Sequence, residues 1–419
     1  MLKYVLLAIV AVTLYLGISC SPVQFNAISH SCTVASPCVT AQGLLNVDQD
    51  FPYNNNNMVD ILVVDDNSGS MTVEQENMGS TVNGFIKNLN ASGLNYQIGV
   101  TNTDVCNQGD APPGFCPGPS QIPGADGTFM NALGAGSIYG NNIITSATPN
   151  GANLFYNTIQ RLNQIGSGDE RAVYASILAT ANQGAANPGF LRPNANLAIV
   201  ILSDEDERSV GGNCTVTDPA DPVQNINIAN GQCDPGFAPL MPNDSPSTLI
   251  SQIDSEWGGN KQLNVYSIII IPDDMTLYPD PNDGGQQQTC LQLQSHQGPY
   301  FTAHPGTTYQ SLSQMTGGLV GSICDNGSGA FANVLTSITS NIQQQTTSNV
   351  ITLAYAAVGQ PIVTFTPSSG AVGWTWNGSN QITLSTRPAA GTIVHVNYNY
   401  TASAQSSFQK KTAAAYKIK

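Results

Sequence analysis

The sequence predicts an α/β fold, a doubly wound and mostly parallel sheet, followed by a small antiparallel β module. Two features predict the first part and one predicts the second. Continuous apolar runs at Ile61-Leu62-Val63-Val64, Leu197 to Leu202 and Val265 to Ile271 read as strands covered on both faces. Segments with helical apolar spacing alternate with them, as crossover connections in a parallel sheet require. From Asn349 to Tyr400 that spacing is replaced by short β-type runs.

The elements follow in order. Lys3 and the apolar run Val5 to Ile18, ending at Ser19-Cys20, make residues 1–19 a secretory signal. The run is too short for a comfortable membrane span. Residues 20–57 are polar and read as a tether with a small disulfide loop. Residues 58–345 carry the strand–helix alternation. Met71, Met78, Phe85, Ile86 and Leu89 share a helical face, and Tyr96 to Thr101 is a second strand. Ile143 to Thr145 reads as an edge strand, Ala152 to Leu162 and Glu170 to Ala181 as helices. Ser245-Pro246 reads as cap and first turn of a helix through Trp257. Gly317-Gly318 stops the helix that begins near Tyr309, and Phe331 to Ile342 is a closing amphipathic helix. Residues 346–403 form the β module, in which Asn377-Gly378 marks a hairpin because both residues tolerate positive φ. Trp374, Trp376 and Tyr398 read as its core aromatics. Residues 404–419 are a basic flexible tail.

At 419 residues the chain is long enough for two or three domains. The 27 Asp and Glu outnumber the 12 Lys and Arg, and Lys410, Lys411, Lys417 and Lys419 lie in the tail. No basic patch exists to displace counterions from phosphates, which argues against nucleic-acid binding. The signal segment ends in a way that resembles a bacterial lipobox, with Leu16 one position further from Cys20 than is usual. That resemblance implies a lipid on Cys20, membrane attachment through it, and a cell-envelope or surface location.

Of the nine cysteines, setting Cys20 aside leaves an even number in an exported chain, which suggests four disulfides. Neighbours in sequence make natural pairs: Cys32 with Cys38, Cys106 with Cys116, Cys214 with Cys233, and Cys290 with Cys324. Spacing alone does not decide among the 105 possible pairings. Zinc is the weaker alternative, since no Cys-x-x-Cys exists and the four histidines are scattered.

The chemistry concentrates at Asp66-Asn67-Ser68-Gly69-Ser70, where a strand runs into a tight turn. A carboxylate and two hydroxyls at alternate positions can converge on a small hard cation that keeps part of its water shell, as Mg²⁺ does. Further along, Asp204 follows a central strand in Ser203-Asp204-Glu205-Asp206-Glu207, and Ser167 lies in Gly166-Ser167-Gly168-Asp169-Glu170. Asp-x-Ser-x-Ser with these two loops, in this order, resembles a von Willebrand factor type A domain, the Rossmann-like fold shared with integrin I domains. The resemblance implies a metal-ion-dependent adhesion site holding Mg²⁺, with Mn²⁺ or Ca²⁺ as alternatives. Its ligands would be Asp66, Ser68, Ser70, Ser167 and Asp204. Asp65 and Asp206 would stand behind them. Two departures stand out: Ser167 where the family has Thr, and Asp65 where it has an apolar residue.

The function expected from this resemblance is recognition: a surface-anchored adhesin that captures a protein partner through that partner's Glu or Asp carboxylate. The alternatives are a structural envelope lipoprotein with a stabilising metal and a secreted hydrolase. Neither a Gly-x-Ser-x-Gly elbow nor a His-Glu-x-x-His helix is present, so the expectation is a protein without enzymatic activity.

Overall fold

The computed structural model describes residues 32, 37–53, 57–105, 124–130, 143–159, 169–208, 211, 240–258, 261–280, 284–295, 303–324, 330–347, 349–389 and 391–402. Cys20, Cys106, Cys116, Ser167, Cys214, Cys233, the signal segment and the basic tail lie outside the described residues. Every element below belongs to one compact unit, Thr33–Lys419.

The strands and helices are β1 (Cys38–Val39), β2 (Leu45–Tyr53), β3 (Met58–Asp65), α1 (Thr72–Ala91), β4 (Asn95–Asn102), β5 (Ile144–Thr145), α2 (Gly151–Ile159), α3 (Ala172–Gly184), β6 (Asn196–Leu202), α4 (Pro246–Trp257), β7 (Leu263–Ile269), β8 (Leu277–Pro279), β9 (Gln287–Thr289), α5 (Cys290–Ser295), α6 (Thr307–Met315), β10 (Val320–Ser322) and α7 (Ala330–Thr347). The chain then enters β11 (Val350–Thr352), β12 (Ile362–Thr366), β13 (Trp374–Trp376), β14 (Gln381–Leu384) and β15 (Thr392–Tyr400).

The main sheet has six strands in the order β10-β7-β6-β3-β4-β5. All neighbours run parallel except β5, the antiparallel edge that Ile143 to Thr145 predicts. Side chains alternate across β3. Val59, Ile61 and Val63 pack with α1, α2 and α7, while Leu62 and Val64 pack with α3, α4 and α6. Both faces are therefore covered, which explains why β3, β6 and β7 are apolar at nearly every position. The chain steps outward from β3 to β4 and β5, then returns to build β6, β7 and β10 on the other side. Strand order reverses between β3 and β6, and in open α/β sheets ligands generally bind beyond the strand carboxyl ends at such a point.

Ser245 caps α4 and Pro246 opens it, as expected, but the serine hydroxyl meets Ser247 Oγ at 2.7 Å and leaves the backbone amides alone. Cys290 and Cys324 form the disulfide that their order in the chain suggested, with Cα atoms 5.5 Å apart. Cys38 is also disulfide-bonded.

The β module consists of two sheets, β1-β2-β15-β12 and β11-β14-β13, around an apolar core that includes Val47, Leu353, Ile382, Leu384, Val396 and Tyr400. Tyr355 and Tyr400 stack there at 4.1 Å, and Trp374 and Trp376 are half-buried against the same core. Asn377-Gly378 turns the β13–β14 hairpin, with Gly378 at φ 82°. One expectation is corrected here. Leu45–Tyr53, expected to lie in a tether, is a strand paired with β15 along its whole length, from Leu45 opposite Tyr400 to Tyr53 opposite Thr392. Val47 and Tyr53 point into the core and Asn46, Asp48 and Asp50 away from it. The module is thus built from segments on both sides of the α/β body, which leaves it after β2 and returns at β11.

Candidate metal centre

Asp65 ends β3 opposite Leu202, which ends β6, so the two following loops start at one level where strand order reverses. The Asp66 amide donates to Leu202 O at 2.9 Å and ties the loops together. Asp66 is fully buried and turns its carboxylate back on its own loop. Oδ1 accepts from the Ser68 amide at 2.9 Å and Oδ2 from Ser203 Oγ at 2.6 Å. This Asx-type turn fixes the backbone of the motif. Gln75, in the first turns of α1, donates its Nε2 to Asp66 O at 2.8 Å and to Asp65 Oδ2 at 3.1 Å. Asp65 is therefore linked to the loop through Gln75.

The hydroxyls then form a chain towards the second loop. Ser68 Oγ and Ser70 Oγ are 2.9 Å apart, and Ser70 Oγ donates to Asp204 Oδ1 at 3.1 Å. The other oxygen, Asp204 Oδ2, is buried with no hydrogen-bonding partner among the described residues. A buried carboxylate oxygen left in that state is costly unless a ligand or ion meets it. Burial, then the charges of Asp66, Glu205 and Glu74, holds the Asp204 carboxyl well above the usual range. Burial also raises Asp66, against the lowering effect of its bonds from Ser203 and Ser68.

These residues fit a small divalent cation. Cis oxygens around octahedral Mg²⁺ stand roughly 2.9 Å apart, given metal–oxygen distances of about 2.0–2.1 Å. The Ser68–Ser70 and Ser70–Asp204 separations match that edge. Among the described residues no group of three or more His, Cys, Asp or Glu side chains forms a metal cage. The candidate set draws on serine hydroxyls instead, and two acidic groups supply the negative charge.

In the acidic run after Asp204, Asp206 is committed to a helix start. Its carboxylate accepts from the Thr308 amide at 2.9 and 3.1 Å and from Thr308 Oγ1 at 3.1 Å, which satisfies orphan donors at the start of α6. Burial brings its pKa up to about 6. Glu207 does the same for α3, accepting from the Val173 and Tyr174 amides at 2.8 and 3.2 Å. Helix starts favour carboxylates by charge as well as by hydrogen bonding.

The sequence reading missed a buried ionic cluster nearby. Arg171 binds Asp244 Oδ1 through Nε and Nη2 at 2.9 and 2.7 Å, and Arg208 binds Asp169 through Nε and Nη2 at 3.1 and 2.9 Å. It also missed Asp104, whose Oδ2 accepts from Asn67 Nδ2 at 2.7 Å, inside the motif itself. His304 reaches the site through its backbone, its amide donating to Asp204 O at 3.0 Å, and burial pushes its imidazole down to about 4. The only local signal for the cluster was the mixing of signs in Asp169-Glu170-Arg171 and Glu207-Arg208.

No protein-family profile matches the chain, and no curated protein matches it. Among solved structures, the pilus adhesin SpaC from Lactobacillus rhamnosus GG in its open conformation aligns at 13% identity and a TM-score of 0.34, over 85% of this chain and 41% of that one. The proximal thread matrix protein 1 of the mussel byssus aligns at 9% identity and 0.32, over 74% and 52%. The pilus adhesin RrgA from Streptococcus pneumoniae aligns at 11% identity and 0.23, over 85% and 58%. The chain spans about two-fifths of the length of SpaC. Likeness at these scores assigns neither a family nor an activity.

Proposed function

We propose that the chain is an exported, surface-anchored recognition protein, built on a von Willebrand A-like doubly wound domain, that docks a protein partner through a divalent cation. The observation that carries this reading is the run Ser68 Oγ, Ser70 Oγ, Asp204 Oδ1, with Asp204 Oδ2 buried and unmatched at the point where strand order reverses. Ser68, Ser70 and Asp204 would hold Mg²⁺ or Mn²⁺ directly. Asp66 would contribute charge, since both its oxygens already accept from Ser68 and Ser203. Ser167 is the expected further hydroxyl ligand.

When bound, such an ion supplies an electrophilic coordination position for a Glu or Asp carboxylate from the partner. The chain's own part is to hold the donors in place and to leave that position uncovered. Hydroxyl donors neutralise little of the ion's charge, which favours an incoming carboxylate. A lipid on Cys20 would hold the molecule at a membrane.

The test is retention of envelope or host-surface proteins on the immobilised chain. Retention should require Mg²⁺ or Mn²⁺, vanish with EDTA and return when the metal is restored. The double variant Asp66→Ala, Ser68→Ala should retain nothing while keeping the wild-type circular dichroism. Retention that survives both treatments overturns the reading. Metal binding without metal-dependent retention would leave only a stabilising ion.

A further inference from the structure

We propose that Arg208 is a positioning residue of the candidate centre, clamping the loop that carries Asp204 to Asp169, in the segment that leads into α3. The inference rests on the metal reading above and adds the residue that sets its geometry.

Asp204 begins a run in which three side chains are committed elsewhere. Asp206 holds the start of α6, Glu207 the start of α3, and Arg208 grips Asp169. All are buried, and Arg208 and Asp169 are each 2% exposed. Asp204 is the member left with an unmatched buried oxygen. One guanidinium therefore ties the loop after β6 to Asp169, in the segment that leads into α3. The Arg208 guanidinium also stands 3.9 Å from Asp244 Oδ2, and Asp244 is itself held by Arg171. The Arg171 amide donates to Thr103 O at 3.1 Å, which connects the same cluster to the loop after β4. Gly211 closes the arrangement. Its φ of 62° suits glycine, and a Cβ there would collide with Asp206 Oδ2.

A lysine at 208 would keep the charge but lose the two-pronged grip on Asp169. Residues that orient metal ligands without touching the metal typically change affinity by about 10–100-fold when altered. The probe is Mn²⁺ alone, titrated calorimetrically against the full chain with thermal melts in parallel. Arg208→Lys and Asp169→Asn should each raise the Mn²⁺ Kd about 10–100-fold. Combining them should do no more than either alone, since both break one interaction. Arg192→Lys is the control. That residue pairs with Asp60 near the opposite end of β3, at 2.7 Å, and its replacement should lower the melting temperature without moving the Kd. If Arg208→Lys or Asp169→Asn does not fold, the variant that folds decides alone, and Asp169→Glu, which keeps the carboxylate but displaces it from the Arg208 fork, is read by the same measure.

Wild-type affinity in the folded variants overturns the proposal, as does an equal loss in Arg192→Lys. Absence of Mn²⁺ binding in the wild-type chain removes the metal reading itself, a distinct result.

Discussion

Ser70 Oγ donates to Asp204 Oδ1 across 3.1 Å, joining two loops whose residues are 134 apart in the chain. The bond exists because β3 and β6 are parallel neighbours that end in register. It brings a hydroxyl from the turn before α1 to a carboxylate that burial and three other acids keep from ionising easily.

Replacing that carboxylate should therefore have opposite effects with and without metal. In EDTA, Asp204→Asn should melt higher than the wild type at pH 8. It removes a buried charge that Asp66, Glu205 and Glu74 repel, while an amide oxygen can still accept from Ser70. At millimolar Mn²⁺ the order should reverse. A ligand at a hundred times its Kd stabilises the binder by about 2.7 kcal/mol, and the variant gains none of this. A variant that melts below wild type in EDTA would show that Asp204 is satisfied without an ion.

The Cys290–Cys324 disulfide should matter more than its distance from the motif suggests. It spans 34 residues in sequence, and closing such a loop restricts the unfolded chain by about 4 kcal/mol in the chain-entropy account. It also seats α5, from which Gln294 donates to Glu74 Oε1 at 2.8 Å in the first turn of α1. Cys290→Ala with Cys324→Ala should lower the urea midpoint by an amount equivalent to about 2–5 kcal/mol. It should also weaken Mn²⁺ binding modestly. A midpoint within error of wild type would contradict the first expectation.

The parts of this fold that are legible in sequence are those whose causes are local. β3, β6 and β7 show as apolar runs because both faces of each are covered. Asp66, Ser68, Ser70 and Asp204 show because they sit directly after such runs. Asp206 and Glu207 do not. The helix amides they bind lie 102 and 34 residues away, and nothing in the acidic run distinguishes a cap from a solvated loop. β2 is hidden for a similar reason. Its alternation is broken by Gln49, which is polar yet faces inward to accept from Tyr398 Oη at 3.1 Å and from the Ala354 amide at 3.1 Å. Pro52 also argues against a strand with neighbours on both sides, and the strands beside β2 are β1 and, more than 300 residues on, β15.

Lys261 makes a prediction about pH. Its Nζ donates to Arg192 O and Ala195 O at 2.8 and 2.7 Å and lies 3.7 Å from Asp60 Oδ2, over the Trp257 ring at 4.4 Å. Burial outweighs the pull of Asp60 and brings its pKa down to about 8. Below that pH both folded and unfolded chains hold the proton, and the folded state bears the full cost of a buried ammonium. Between about 8 and the ordinary value near 10.4 the unfolded chain still binds the proton while the folded chain has released it, so stability rises with pH. Urea unfolding of wild type and Lys261→Met should therefore diverge in favour of the wild type from pH 7.5 to 10. Taking the difference cancels tyrosine ionisation common to both. A flat difference would mean that the amine titrates normally.

The pairing of β2 with β15 predicts what trimming the chain from its amino end would do. If residues up to 57 served only as a spacer, a chain beginning at Met58 would keep its β module. In the fold observed, that chain loses the neighbour of β15 on one side and the inward side chains Val47 and Tyr53, which are 0% and 7% exposed. Burying side chains of that size contributes roughly 1.5–3 kcal/mol each, and an uncovered β15 would present a nine-residue edge with alternating Val394, Val396, Tyr398 and Tyr400. The shortened chain should show a lost or early melting transition for the module and a concentration-dependent tendency to associate. The α/β body, whose core uses none of these residues, should keep its own transition and its Mn²⁺ affinity. Two unchanged transitions in the shortened chain would show that β2 adds nothing to the module.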